Sequence, residues 1–201
     1  MDRKEIVAAA EAYWDDHRDA IVADIAKLVE IPSTEDLAAA APGAPYGPGP
    51  AAALDAALEI AEGMGMTVTN CEGHIGFADL AGKTEKQLGI IGHMDVVPAG
   101  PGWTFEPYEV TRKDGYLIGR GTLDNKGPSV MALHAMKLWK DLQDQGEAPQ
   151  FPYTVRFLFG ANEESGMADV AYYHLHYDDP AFLFTPDAEF PVCYGEKGGY
   201  D

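Results

Sequence analysis

The chain has 201 residues, 46% hydrophobic and 23% charged, which supports one core of ordinary domain size and argues against a disordered chain. Its 14 basic and 33 acidic side chains give a formal charge of -19, which argues against nucleic acid or an anionic membrane surface as partners because like charges repel. Only Cys71 and Cys193 occur, too few for the disulfide framework of a small secreted domain, so both are expected to be thiols in a reducing compartment.

Met1-Asp2-Arg3-Lys4 leads straight into a helical pattern rather than into the apolar core of a signal peptide, and no run is long enough to span a bilayer; a cytoplasmic location is expected. Ile6, Val7, Ala10, Tyr13, Trp14, Ile21, Val22, Ile25, Leu28 and Val29 follow helical spacing. They predict a long amphipathic helix packed on one side, capped by Asp2 and Glu5 and ended by Pro32. From Pro32 to Pro50 the composition turns to Ala, Pro and Gly, which cannot hold a regular ladder of backbone hydrogen bonds and predicts a surface loop. A second helix is expected from about Ala52 to Glu62, then short strands near 67–70 and 75–80.

Leu88 to Gly92 is a continuous apolar run, the form of a strand covered on both faces in a parallel sheet; Tyr153 to Phe159 and Ala181 to Phe184 have the same character. A helix opens at Gly127-Pro128, with Met131, Ala135, Leu138 and Leu142 expected on its buried face. Strands alternating with helices predict an α/β fold, a mostly parallel sheet flanked by helices. A further strand is expected at 191–194.

In such sheets ligands bind beyond the carboxyl ends of the strands. There the three apolar runs end in His93-Met94-Asp95, in Asn162-Glu163-Glu164 and in Thr185-Pro186-Asp187, and Asp124 sits in the turn before the Gly127-Pro128 helix. Carboxylates gathered on one rim repel one another unless cations neutralise them. One imidazole among several carboxylates suits Zn²⁺, with Mn²⁺ or Co²⁺ as substitutes, and a carboxylate can bridge two ions. A calcium site is the weaker alternative, since imidazole is a poor ligand for so hard a cation. His93 and Asp95, two apart on extended backbone, point the same way, so Asp95 can orient the imidazole. Glu163 and Glu164, adjacent on extended backbone, should point apart, one toward metal and the other toward substrate as a general base. The other histidines, His17, His74, His134, His174 and His176, follow no ligand spacing.

Three motifs in this order carry a resemblance: Gly92-His93-Met94-Asp95-Val96-Val97-Pro98, Arg120-Gly121-Thr122-Leu123-Asp124-Asn125-Lys126-Gly127-Pro128 and Asn162-Glu163-Glu164-Ser165-Gly166. Together the chain resembles the zinc peptidases and deacylases that include acetylornithine deacetylase, succinyl-diaminopimelate desuccinylase and aminoacylase. Pro186-Asp187-Ala188-Glu189-Phe190-Pro191 and Tyr194-Gly195-Glu196-Lys197-Gly198 look most like the PepV-type dipeptidases. The resemblance implies a zinc-exopeptidase catalytic domain of the phosphorylase/hydrolase-like kind, acting on small peptides. His93 and Asp187 would hold one zinc, Glu164 the other, and Asp124 would bridge them. Asp95 would support His93, and Glu163 would be the base. Asn125 stands where that subgroup often has a second aspartate, at a position that is not a ligand in the pattern.

Family members continue into a lid domain, through which they can form homodimers, and then return with a closing histidine. Residues 1–201 are therefore expected to be the N-terminal portion of the catalytic domain, binding metal incompletely on the Glu164 side and turning over little substrate alone. A deacylase of N-acyl amino acids is the nearest alternative function, and a non-catalytic relative a more distant one.

Overall fold

The computed structural model describes residues 1–187. The first helix, α1 (Arg3–Val29), starts as the sequence predicts: the Asp2 carboxylate accepts from the backbone N–H of Lys4 and Glu5, and the Glu5 carboxylate accepts from that of Asp2. Only its second half lies in the core. Ile21, Val22, Ile25, Leu28 and Val29 are buried, whereas Ile6, Val7 and Trp14 remain exposed. A helix of this length is about 40 Å long, more than its buried residues span, so its first turns lie outside the core.

The loop after Pro32 is shorter than expected, because α2 (Pro48–Gly63) begins ahead of Ala52. Pro48 and Pro50 fall in its first turn, where the missing N–H has no intrahelical partner to lose. Gly47 precedes it at φ 101°, and a Cβ there would lie 2.8 Å from the Asp36 carbonyl oxygen, so only glycine fits this entry into the helix.

The main sheet contains β1 (Thr67–Cys71), β2 (Ile75–Leu80), β3 (Gln87–His93), β6 (Thr154–Gly160) and β7 (Phe182–Phe184), in the order β1-β2-β6-β3-β7; β4 (Thr111–Lys113) and β5 (Tyr116–Ile118) form a separate hairpin. β3 runs parallel to both β6 and β7, while β2 joins β1 and β6 in antiparallel pairs. Two helices complete the fold: α3 (Lys126–Asp144) leads from the hairpin back to β6, and α4 (Ala168–His176) connects β6 to β7. This is the expected α/β sheet with helices on both faces. Alternation along β6 makes the two layers: Val155, Phe157 and Phe159 pack with α1, α2 and α3, and Leu158 packs with Tyr173 of α4.

Two expectations about faces fail. Of the four residues expected on the inner face of α3, Leu142 is buried and Leu138 half-buried but Met131 and Ala135 are exposed, and the helix also buries Lys126, Ser129, Val130, Leu133, His134 and Met136. Polar residues occupy the buried stripe, so counting apolar positions selects the wrong face. In β7, all three residues are exposed although the run reads as doubly covered. The strand expected at 191–194 and Cys193 lie outside the described residues; Cys71 is a buried free thiol.

Buried polar pairs lock the layers. His134 of α3 sits between Asp24 (2.9 Å) and the Tyr13 hydroxyl (2.9 Å) of α1. Arg156 of β6 makes a two-pronged pair with Asp79 of β2 at 2.8 and 2.7 Å, donates to the Tyr173 hydroxyl at 2.8 Å and lies over the Phe77 ring. Arg156→Ala is expected to cost about 3 kcal/mol in urea unfolding, because it strands a mostly buried carboxylate and hydroxyl. A cost within error of zero would show that water replaces the guanidinium freely. Among the described residues no helix is long and apolar enough to cross a membrane.

Candidate metal centre

The parallel register sets His93 opposite Gly160, so β3 and β6 end level, and the Met94 N–H donates to the Gly160 carbonyl at 2.8 Å. The segment beyond β3 is pinned from the α1–α2 connection: the Ser33 hydroxyl donates to the Met94 carbonyl at 2.6 Å, and Val96 N–H donates to the Ser33 carbonyl at 3.1 Å. His93 is buried with its two nitrogens in different surroundings. Nδ1 lies 3.0 Å from the Asp95 carbonyl oxygen and 3.4 Å from the Asp95 carboxylate, both acceptors, which places the proton of a neutral ring there. Nε2 then faces the rim, 3.0 Å from Asp124 Oδ1, 3.4 Å from Asp187 Oδ2 and 3.8 Å from Glu163 Oε2.

Asp95 does more than face the imidazole. Its two carboxylate oxygens accept from the backbone N–H of Glu163 at 3.1 Å and of Glu164 at 3.0 Å, joining the end of β3 to the loop after β6. That loop differs from expectation: Glu163–Ser165 is a turn of 3-10 helix, so strand alternation does not apply. Both glutamates nevertheless reach the site. One oxygen each of Glu164 and Asp124 and one nitrogen of His93 all lie within 4.8 Å of one another, close enough to share an ion. The structure thus brings His93, Asp95, Asp124, Glu163, Glu164 and Asp187 to one edge of the sheet. His17, His74, His134, His174 and His176 take no part in it.

Charge in this cluster is unbalanced. Among the described residues none of its carboxylates pairs with Lys or Arg. Burial by itself favours a neutral His93, but hydrogen bonds and attraction from Asp187 and Asp95 outweigh it and raise the imidazole to about 11, the direction expected where carboxylates lack other positive partners. Burial lifts Glu163 above the usual carboxylate range, with His93 opposing and Asp187, Glu164 and Asp95 adding to it. Burial also lifts Glu164, followed by repulsion from Asp124. A buried imidazole facing several uncompensated carboxylates is a donor set that fits divalent ions of the zinc type.

Several residues that build this edge escape a sequence reading. Lys126 is fully buried and its Nζ donates to the Leu28 (2.8 Å) and Ile31 (2.9 Å) carbonyls, tying the Asp124 turn to the end of α1. Burial pushes its ammonium down to about 7. Asp169, buried in the first turn of α4, accepts from Ala161 N–H at 2.7 Å and Asn162 N–H at 3.0 Å, and Asn162 donates to Glu35 at 2.7 Å. Their partners are local only for Asp169, whose position in a helix's first turn is the one signal available from sequence.

The model of peptidase family M20/M25/M40 matches residues 89–199. The Beta-Ala-Xaa dipeptidase of Lactobacillus delbrueckii subsp. lactis is 40% identical over 182 residues, 90% of this chain and 37% of that protein. Human carnosine dipeptidase 1 superposes with a TM-score of 0.71 at 23% identity, over 91% of this chain and 41% of that one, a likeness of fold. An M20 family metallo-carboxypeptidase of Sulfolobus solfataricus aligns at 26% identity and a TM-score of 0.55, over 72% of this chain and 31% of that one. The chain therefore spans well under half the length of these relatives.

Proposed function

The chain belongs to peptidase family M20/M25/M40, and from that membership and the geometry of the cluster we propose that the protein carrying it hydrolyses the amide bond of dipeptides or short peptides with two zinc ions. Mn²⁺ or Co²⁺ are workable substitutes in such a donor set. The observation that carries this reading is His93 Nε2 within 3.8 Å of three carboxylates, Asp124, Glu163 and Asp187, without a Lys or Arg pairing with any of them among the described residues. The 40% identity to a dipeptidase supports the substrate class.

In this proposal His93 and Asp187 would hold one ion and Glu164 the other, with the Asp124 carboxylate within reach of both sets of ligands. Bound there, such ions lower the pKa of water toward neutrality and polarise the scissile carbonyl. Glu163, raised in pKa and half-exposed beside the cluster, takes the proton from the attacking water on a carboxylate oxygen and returns it to the leaving amine. Asp95 holds the His93 ring and the Glu163–Glu164 backbone in place, so the base and the ligands move as one unit. Residues 1–201 form the metal-binding portion of the catalytic domain.

A panel of dipeptides against N-acetyl and N-succinyl amino acids, assayed with zinc and after chelation, tests the reaction. Zinc-dependent turnover of dipeptides is expected, and preference for the acyl amino acids would make the protein a deacylase instead.

Metal affinity should depend on pH in a definite direction. A ligating His93 must be neutral, yet without metal its imidazole keeps a proton up to about pH 11. Zinc binding then displaces that proton, and apparent affinity should rise by up to about tenfold per pH unit between pH 6 and 8. Calorimetry in buffers of different ionisation enthalpy measures the proton release directly. Affinity independent of pH would mean that His93 is already neutral.

A further inference from the structure

We propose that Asn125 is a positioning residue for Asp187, fixing which carboxylate oxygen that side chain offers to metal. The inference rests on the reading of Asp187 as a ligand and adds a residue to which that reading gives no role. Asn125 is completely buried. Its Nδ2 donates to Asp187 Oδ1 at 2.7 Å and faces the Pro186 carbonyl oxygen at 3.5 Å. Its Oδ1 accepts from the Ser129 hydroxyl, in the first turn of α3, at 2.8 Å.

Two acceptors on one side define which way the amide faces, since only the NH₂ group can meet both. Gly92, next to His93, makes the space: a Cβ there would lie 2.2 Å from the Ser129 hydroxyl and 2.6 Å from Asn125 Oδ1. With Oδ1 engaged by the amide, Asp187 turns Oδ2 toward His93 Nε2, 3.4 Å away.

Asp187 has little else to hold it. It follows β7 by three residues on irregular backbone, and among the described residues its carboxylate meets only Asn125 and His93. Asn125 directly follows Asp124, so one side chain joins the two loops that carry these carboxylates.

The test compares the chain with its Asn125→Leu variant, which keeps the side chain's branched shape but has no donor for Asp187. Zinc affinity is measured by competition with a chelating indicator, the ligand field by the visible absorption of the Co²⁺-loaded chain, and stability by thermal unfolding without metal. Asn125→Leu is expected to weaken zinc about 10–100-fold and to change the Co²⁺ spectrum, while the metal-free chain still unfolds in one cooperative transition. Asn125→Ala also removes the donor and should weaken zinc at least several-fold, which keeps the test open if the leucine variant fails to fold. Parent-like affinity and spectrum in the variants, with zinc lost on His93→Ala, would overturn the role of Asn125 alone. If the parent chain binds no zinc, or His93→Ala binds it equally well, the metal reading falls and this proposal with it.

Discussion

If the proposed reaction holds, Glu163→Gln in the protein carrying this sequence is expected to lower dipeptide hydrolysis about 10²–10⁴-fold, the usual contribution of a positioned acid–base group. The amide keeps the size and hydrogen-bonding reach of the carboxylate but cannot accept the proton of the attacking water. Zinc content should stay at the parent level, because Glu163 Oε2 is 3.8 Å from His93 Nε2 and holds no ion in the proposed scheme. The loss should fall on kcat rather than KM, as expected for a group needed only during the chemical step. If zinc leaves together with activity, Glu163 is a ligand, and the two glutamates exchange roles.

Asp95→Ala should damage both stability and metal binding. The side chain is 1% exposed and accepts from two backbone N–H groups besides facing His93 Nδ1. Truncation leaves the N–H groups of Glu163 and Glu164 aimed into a void and frees the imidazole to turn. Hydrogen bonds to a buried charge and the penalty for stranded donors together give a loss of about 2–4 kcal/mol in urea unfolding, and a misplaced imidazole gives a 10–100-fold loss of zinc affinity. Asp95→Asn offers one oxygen where two are used, so its effects should be intermediate. Parent-like zinc binding in Asp95→Ala would mean that the Asp95 carbonyl, 3.0 Å from Nδ1, orients the ring without help from the carboxylate.

The strand ends were legible in the sequence because each is a short apolar run stopped by a residue with metal-binding chemistry, and a sheet turns that linear pattern into a spatial one. The N-terminal cap of α1 was legible for a different reason: Asp2 and Glu5 satisfy each other within one turn. What escaped reading is polar and buried. Lys126 finds its carbonyl partners almost a hundred residues away, and no local pattern announces such a contact. The same buried lysine, with Ser129, disguised the inner face of α3. Glu163 and Glu164 were expected to diverge as on a strand, but hydrogen bonds from their N–H groups to Asp95 accompany a 3-10 turn that lets both reach the cluster. The motifs point in order to the residues proposed for the site, whereas Asn125 carries no signal of its own in the sequence; its contact with Asp187 emerges only when the loops are brought together.

The central claim, that divalent ions hold these carboxylates together, is tested most directly by anomalous scattering at the zinc edge from crystals grown with zinc. A strong peak within ordinary zinc–ligand distance, about 2 Å, of His93 Nε2 and of carboxylate oxygens of Asp124 and Asp187 is the expected result. Crystals containing zinc without a peak in contact with His93, or with side chains in the present arrangement and a proton alone balancing the charge, would contradict it.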